Sequence, residues 1–260
     1  MRIVVCVKRV PDAQAERRFD EDGFLIRGDD DVLNELDENA VQAAVDLKDA
    51  SGEDGEIIAL TMGPEDAIDV LRRSLALGAD RAIHVCDERA AGSDVLGTAK
   101  VLAAAVRRIE ADSGPVDLVL AGLSALDGMT TAVPSALAVL LDLPSLVRAR
   151  HVELEGSTVR IERQMGAYEE VLEAELPLVL SVTDQANEVK YPNFKAIMAA
   201  KKKPIEEIDL DDLNITEQVG AAGAGAKVVA AQPRPAKEAG EIVTENGAAR
   251  LAQYINEVIS

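Results

Sequence analysis

Residues 56–85 read EIIALTMGPEDAIDVLRRSLALGADRAIHV, and this stretch decides the fold. Glu56 to Thr61 is a short, nearly unbroken apolar run, as a strand buried on both faces requires. Met62-Gly63-Pro64 closes it. Glu65 to Leu77 is amphipathic at helical spacing and ends at Gly78, the residue type favoured just past a helix end. Arg81 to Val85 is the next strand. Strand, helix and strand in this order form a βαβ unit, which implies a parallel sheet.

The rhythm extends both ways. Upstream, Ile3 to Val7 is a β-branched run that reads as the first strand. Residues 34–48, NELDENAVQAAVDLK, put Leu36, Ala40, Val41, Ala44, Val45 and Leu47 at helical spacing, with Asp37 and Glu38 in the first turn. Downstream, Asp94 to Glu110 is an Ala-rich helix, Asp117 to Ala121 a strand, and Thr131 to Leu141 another helix. The expected fold class is α/β, a doubly wound, mostly parallel, Rossmann-like sheet. From Arg150 the pattern changes. His151 to Glu155 and Thr158 to Glu162 alternate by twos around Gly156, a hairpin signal. Val171 to Glu175 adds another alternating strand and Pro177 to Val182 a buried one, so antiparallel edge strands are expected on the sheet.

Beyond Lys203 the βα rhythm is lost. VGAAGAGAK (219–227) and QPRPAK (232–237) read as linker, and only Ala248 to Ile259 regains helical spacing. The expected division is an α/β domain over 1–210 and a C-terminal arm over 211–260, which either wraps a partner subunit or is a disordered tail.

Composition limits the functions. Of 260 residues, 48% are hydrophobic but only 2% aromatic, so the core must be built from Val, Ile, Leu and Ala. A net charge of −20 argues against nucleic acid and anionic membrane surfaces. Lys201 to Lys203 is the one basic run. Cys6 and Cys86 read as reduced thiols of a cytoplasmic protein, with no metal-ligand spacing around them. The apolar run at the N-terminus is too short for a signal-peptide core, and no stretch is long enough to span a bilayer.

In a doubly wound sheet, ligands bind beyond the carboxyl ends of the strands. Three stretches qualify: Cys6 to Arg9, Thr61 to Pro64, and the loop from Ala121 to Thr131. The last is the best nucleotide candidate. Gly122 and Gly128 permit close backbone approach, while Ser124, Thr130 and Thr131 offer hydroxyls beside a helix N-terminus. An ordinary connection capped by Thr130 or Thr131 reads equally well. Neither GxGxxG nor a P-loop occurs. His84 and His151 read as structural or exposed, Asp127 as a capping or ribose-contact carboxylate, and no catalytic set can be assembled.

Five separated blocks, IVVCVKRVPD, LNELDENAVQAAVDLK, GADRAIHV, DLVLAGLSALDG and NEVKYPNFKAIMAAKKKPIE (187–206), together resemble the beta subunit of electron transfer flavoproteins over roughly residues 1–210. The resemblance implies an electron carrier rather than an enzyme, paired with an alpha subunit that holds most of the FAD, with a structural AMP in the beta subunit. It carries AMP contacts onto Cys6, Asn34, Glu35, Leu36, Asp37, Met62, Ser124, Ala125, Leu126, Asp127, Gly128, Thr130, Thr131, Ala132 and Val133. It makes residues near 187–200 a loop that docks flavoprotein dehydrogenases, with Phe194 as the apolar anchor beside Tyr191, Ile197 and Met198. A core position for Phe194, packed under Tyr191, is the bland alternative. The final electron acceptor implied is a quinone oxidoreductase. Where the family carries flavin-facing aromatics, this chain has Ala13 and Leu36, and its turn at Arg163 to Glu170 departs from the family's acidic, glycine-rich signature. Two other readings stand beside this one: a bifurcating flavoprotein with a second FAD in place of AMP, and a stand-alone ATP-binding stress or signalling protein.

Overall fold

The computed structural model describes residues 1–52, 54–215, 219–232, 235–237, 239–240 and 242–259. Strand β1 (Arg2–Cys6) leads into a short antiparallel pair, β2 (Arg9–Pro11) and β3 (Asp31–Leu33), and then helix α1 (Glu35–Ser51). Next come β4 (Glu56–Met62), α2 (Ile68–Leu77), β5 (Arg81–Val85), α3 (Val95–Ser113), β6 (Leu118–Gly122), α4 (Val133–Leu141) and β7 (Ser145–Ala149). Strands β8 (His151–Glu155), β9 (Thr158–Met165) and β10 (Tyr168–Glu175) follow, then β11 (Leu178–Val182), α5 (Phe194–Ala200), β12 (Ile205–Ile208), α6 (Gly220–Gly223) and α7 (Gly247–Ile259).

Seven strands make the central sheet in the order β12-β5-β4-β1-β6-β11-β7, and every pairing in it is parallel. Burial explains why the central strands are apolar without alternation. Ile3, Val5, Ile57, Ala59, Leu118 and Leu120 face α1 and α2, while Val4, Cys6, Ile58, Leu60, Val119 and Ala121 face α3 and α4. Both sides of each strand are therefore covered. Small residues on the helices, Ala40, Ala43 and Ala44 on α1 and Ala99, Ala103 and Ala105 on α3, let them lie close to the branched side chains of the sheet. Asp94 caps α3 by accepting the Gly97 amide at 2.8 Å.

Three features differ from the sequence reading. The antiparallel strands β8, β9 and β10 form a sheet of their own instead of edging the large one. Val159 and Ile161 of β9 turn one face of that small sheet into the α1 side of the core, and its other face carries the alternating charges. The edges of the main sheet are β7 and β12, which sequence reading leaves unassigned because edge strands are short and half solvated. β12 spans only Ile205–Ile208 and exposes Glu206 and Glu207.

The third difference concerns VGAAGAGAK, whose composition reads as a free linker. Val219 is buried, and the segment is docked on the start of α3. The Gly220 amide donates to Ser93 Oγ at 2.7 Å and the Ala221 amide to the Ala91 carbonyl at 2.9 Å. Asp94 accepts the Gly225 amide at 2.8 Å. A Cβ on Gly220, whose φ is +70°, would lie 2.0 Å from the Arg89 carbonyl oxygen, so the smallness of the residue serves close packing rather than freedom. Pro233 and Arg234 of the QPRPAK stretch lie outside the described residues.

Ile58 is fully buried in a central strand, whereas Val139 on α4 is 81% exposed. Ile58→Ala is expected to cost about 2–5 kcal/mol in urea unfolding and Val139→Ala less than about 0.5 kcal/mol. Equal losses would mean that the sheet is not covered on both faces.

Candidate functional site

The order of strands opens a crevice. From β1 the chain builds outward through β4 to β5, and α3 then returns it across the sheet to β6 on the other flank of β1. Connections leaving β1 and β6 therefore diverge, and the space between their carboxyl ends is a topological switch point.

Buried polar groups line it. Asn34, fully buried just before α1, donates through Nδ2 to the Ser124 carbonyl at 3.0 Å and accepts the Leu126 amide at 3.0 Å. One side chain thus pins the loop after β6 to the entry of α1. Asp37, one turn in, accepts the Lys8 amide at 2.8 Å. Gly122 lies against the same turn: a Cβ there would sit 2.6 Å from both the Leu36 carbonyl oxygen and Asp37 Oδ1. Thr61 Oγ1 donates to the Val7 carbonyl at 2.7 Å, tying the end of β4 to that of β1.

A cluster of cations closes over the loop. Asp127 pairs with Lys8 at 2.8 Å and Arg27 at 2.5 Å, and Arg17 donates to the Leu126 carbonyl at 2.9 Å. Arg9, itself buried, pairs with Asp31 at 3.2 Å and Asp66 at 2.6 Å. These interactions strap the excursion between β2 and β3 onto the crevice. The sequence shows one basic run at Lys201 to Lys203, but folding assembles this second group from separated positions. Lys203 is not part of a free basic surface, since its ammonium donates to the Leu75 carbonyl at 3.1 Å and the Ala79 carbonyl at 2.5 Å, at the end of α2.

Neither threonine caps α4. The N-cap position is Ala132, which supplies no side-chain acceptor, and Pro134 follows within the first turn. Thr131 instead holds φ at +54° and Met129 at +50°, left-handed conformations that turn the chain before the helix. Thr130, Thr131 and Ala132 are exposed, and Val133 begins the helix. An uncapped N-terminus leaves amide donors and the positive end of the helix dipole directed at the rim of the crevice.

Of the other expected positions, Ser124, Ala125, Leu126 and Asp127 run beside Asn34, Leu36 is half-buried, and Glu35 and Gly128 are exposed. Met62 ends β4 and packs with the α3 side of the core. Burial, with the nearby Asp37 carboxylate, pushes the Cys6 thiol up to about 12, so it stays protonated and is no nucleophile. Burial also raises Asp37, to about 7, against hydrogen bonds from Asn34, Lys8 and Gly122. Burial would raise Asp127 too, but Lys8 and Arg27 outweigh it and hold this carboxylate below its ordinary range.

A second surface lies across α1. Asn187 exchanges hydrogen bonds with Asn39, donating to its carbonyl at 2.9 Å, and the Lys190 amide donates to Gln42 Oε1 at 3.1 Å. These bonds fix the root of the loop. Its tip is free of the core: Tyr191 is 82% and Phe194 77% exposed, with Ile197 and Met198 exposed beside them. Phe194 is therefore not packed under Tyr191. Arg73 lies 5.7 Å from the centre of the Tyr191 ring, a cation–π distance.

A family model described as "Electron transfer flavoprotein domain" matches residues 22–213. The chain is 40% identical over 261 residues, 97% of each chain, to the electron transfer flavoprotein subunit beta of Mycobacterium tuberculosis. The chain belongs to the electron transfer flavoprotein family. It is also 34% identical over 268 residues to the subunit beta of Megasphaera elsdenii, covering 100% of this chain and 98% of that one. With the protein named "Caffeyl-CoA reductase-Etf complex subunit CarD" of Acetobacterium woodii it shares 35% identity over 246 residues, covering 94% and 92%. Among the described residues no helix is long and apolar enough to cross a membrane.

For a member of this family, sequence reasoning passed over Arg17, Arg27 and the steric role of Gly122 toward Leu36, and it marked Lys8 only as part of the stretch Cys6 to Arg9. Gly122 was legible as a place of close backbone approach but not of approach to α1, and Lys8 and Arg27 become neighbours of Asp127 through contacts across 119 and 100 positions. Two open cavities lie away from the crevice. One of about 310 Å³ is lined by Arg148, Arg150, Gln164 and Thr183, and one of about 390 Å³ lies between α1 and β8.

Asp37 gives a pH test. In the unfolded chain it ionises near 3.8, and in the folded chain near 7, so between these values the folded state binds more protons. Its contribution to stability is full below about 4 and is lost as pH rises through about 7. Unfolding free energies of wild type and Asp37→Asn, compared from pH 4 to 8, should shift against the wild type across that window. A constant difference would mean that Asp37 is ionised throughout.

Proposed function

We propose that this chain is the beta subunit of a heterodimeric electron carrier, in which an alpha subunit holds most of the FAD and this subunit holds a structural AMP. The observation that carries the nucleotide assignment is the crevice between β1 and β6, where α4 presents an uncapped N-terminus behind a loop clamped by Asn34. A single phosphate suits it. The site has backbone donors and a helix dipole, while Lys8 and Arg27 are already engaged by Asp127, so little free cationic charge remains for a longer phosphate chain. Asn34, Glu35, Leu36, Asp37, Cys6, Met62 and the loop from Ser124 to Val133 would surround the nucleotide.

An FAD held mainly by alpha would supply the redox chemistry between a flavoprotein dehydrogenase and an acceptor such as a quinone oxidoreductase. What this chain contributes is scaffold and recognition. The exposed group of Tyr191, Phe194, Ile197 and Met198 on a root fixed by Asn39 and Gln42 suits docking to an apolar pocket on such a dehydrogenase. Helix α7 suits docking to the alpha subunit: Leu251, Tyr254, Ile255, Val258 and Ile259 lie at i, i+3, i+4, i+7 and i+8, and all are exposed. We assign residues 211–260 to the arm that wraps alpha, with its root, Leu213 and Val219, fastened to this domain. Identity to a subunit of a caffeyl-CoA reductase complex favours one second reading, a bifurcating assembly with a second FAD in place of AMP.

Coexpression with a candidate alpha subunit, followed by release and chromatography of the nucleotides, should give one FAD and one AMP per heterodimer. Two FAD would establish the bifurcating reading instead, and ATP on a stable monomer would refute both. Docking is tested separately with Phe194→Ala: dehydrogenase-dependent flavin reduction should weaken by an amount equivalent to about 2 kcal/mol or more, on the order of 30-fold, with nucleotide content unchanged. Unaltered kinetics would remove Phe194 from the interface.

A further inference from the structure

The carboxyl end of β5 carries polar groups for which the flavoprotein reading has no use. His84 is fully buried, yet its Nδ1 has no hydrogen-bond partner among the described residues. Its other ring nitrogen, Nε2, lies 3.1 Å from the Gly63 carbonyl oxygen. A carbonyl can only accept, so Nε2 carries a proton, and in the neutral ring Nδ1 is then an unprotonated lone pair. That lone pair points to Glu207, whose carboxylate is 3.8 Å away on the neighbouring strand β12, where Glu207 stands in register with His84. In that neutral form the two facing acceptors cannot satisfy one another.

Cys86, two residues along from His84, completes the group. Donor atoms of His84, Cys86 and Glu207 all lie within 4.8 Å of one another. In a tetrahedral site with metal–nitrogen and metal–oxygen bonds of about 2.0–2.2 Å and a metal–sulfur bond of about 2.3 Å, neighbouring ligand atoms stand roughly 3.3–3.7 Å apart. The required contraction is at most about 1.5 Å by that comparison, and Glu207, whose side chain is 66% exposed, is free to supply its share.

We propose that His84, Cys86 and Glu207 form a binding site for a borderline-soft divalent cation of the zinc class, with water in the fourth position. An imidazole, a thiolate and one carboxylate select zinc over magnesium or calcium, which require mostly oxygen ligands. Binding is balanced by one proton: the Cys86 thiol loses its hydrogen to solvent as the metal–sulfur bond forms, and no electrons move. The Gly63 carbonyl is the outer partner that orients the imidazole. Burial, and after it the charges of Glu207, Glu65, Asp87 and Asp66, hold the Cys86 thiol above its ordinary range in the metal-free chain. The ion would bridge β5 and β12, fastening the edge of the sheet at a place two strands removed from β1. This inference does not depend on the nucleotide or the flavin.

The test is equilibrium dialysis of the untagged full-length chain against Zn²⁺, with bound metal counted by elemental analysis. About one zinc per chain is expected, retained against excess Mg²⁺ or Ca²⁺. Cys86→Ser should weaken binding on the order of 100-fold and Glu207→Gln about 10-fold, while His151→Ala, at the exposed histidine, should change nothing. Both ligand variants alter the rim, and circular dichroism checks that they fold. Cobalt substitution adds a signature, since a thiolate-to-cobalt absorption band should be present in wild type and absent from Cys86→Ser. Failure to retain zinc, or equal retention by Cys86→Ser, would overturn the assignment.

Discussion

The close approach of β6 to α1 is the constraint on which the crevice depends. Gly122 ends β6 directly under the first turn of α1, where any Cβ would strike the Leu36 carbonyl and the Asp37 carboxylate. Because that approach is so short, Asn34 can reach across to both Ser124 and Leu126, and Asp37 can accept amides from both Lys8 and Gly122. A larger residue would force the helix away and break every one of these bonds at once. The loop that follows β6 is then held at its root while its far half, through Met129 and Thr131, turns left-handed into an uncapped helix. Rigidity at one end and free donors at the other are what a nucleotide site requires.

Charge is arranged against the same frame. A chain with a net charge of −20 repels anions at long range, yet the crevice gathers Lys8, Arg9, Arg17 and Arg27. Most of that charge is neutralised locally by Asp127, Asp31 and Asp66, so the cations act first as a clasp over the β2–β3 excursion. Partly buried pairs of this kind lose more when one partner is removed than they contribute together, which makes them devices of geometry rather than of stability. In the proposed nucleotide site, affinity for a phosphate would rest on backbone donors, whose direction is set by the fold and which cost no side-chain ordering.

Legibility in the sequence followed burial. Strands covered on both faces, such as Ile3 to Val7 and Leu118 to Ala121, announce themselves as unbroken apolar runs, and helices covered on one face announce themselves by period. The edges β7 and β12 did not, because half-solvated short strands carry mixed residues such as Glu206 and Glu207. Composition misled at VGAAGAGAK, where glycine and alanine mark tight packing on Arg89 and Ala91 rather than slack chain. At the site, positions on the loop from Ser124 to Val133 and on the entry of α1 were visible as segments. The clamp between them was not, since Asn34 looks like any helix-preceding asparagine until β6 is placed beside it. The same limit hid the group at His84, because its third member stands on a strand that the sequence did not reveal.

The C-terminal arm joins these themes. Its first part is bound to this domain by Ser93, Asp94 and the backbone around Ala91, so the arm leaves from a fixed point rather than from a loose tether. Its last part, α7, has an apolar stripe along one side and no buried residue. A helix of 13 residues is marginal in water by itself and takes its stability from packing of the apolar face. The α/β domain cannot provide that packing, since its own helices α1 to α4 already cover both faces of the sheet. In the proposed heterodimer the surface that α7 meets would lie on the alpha subunit, and fixing the root of the arm would lower the entropy lost when the two come together.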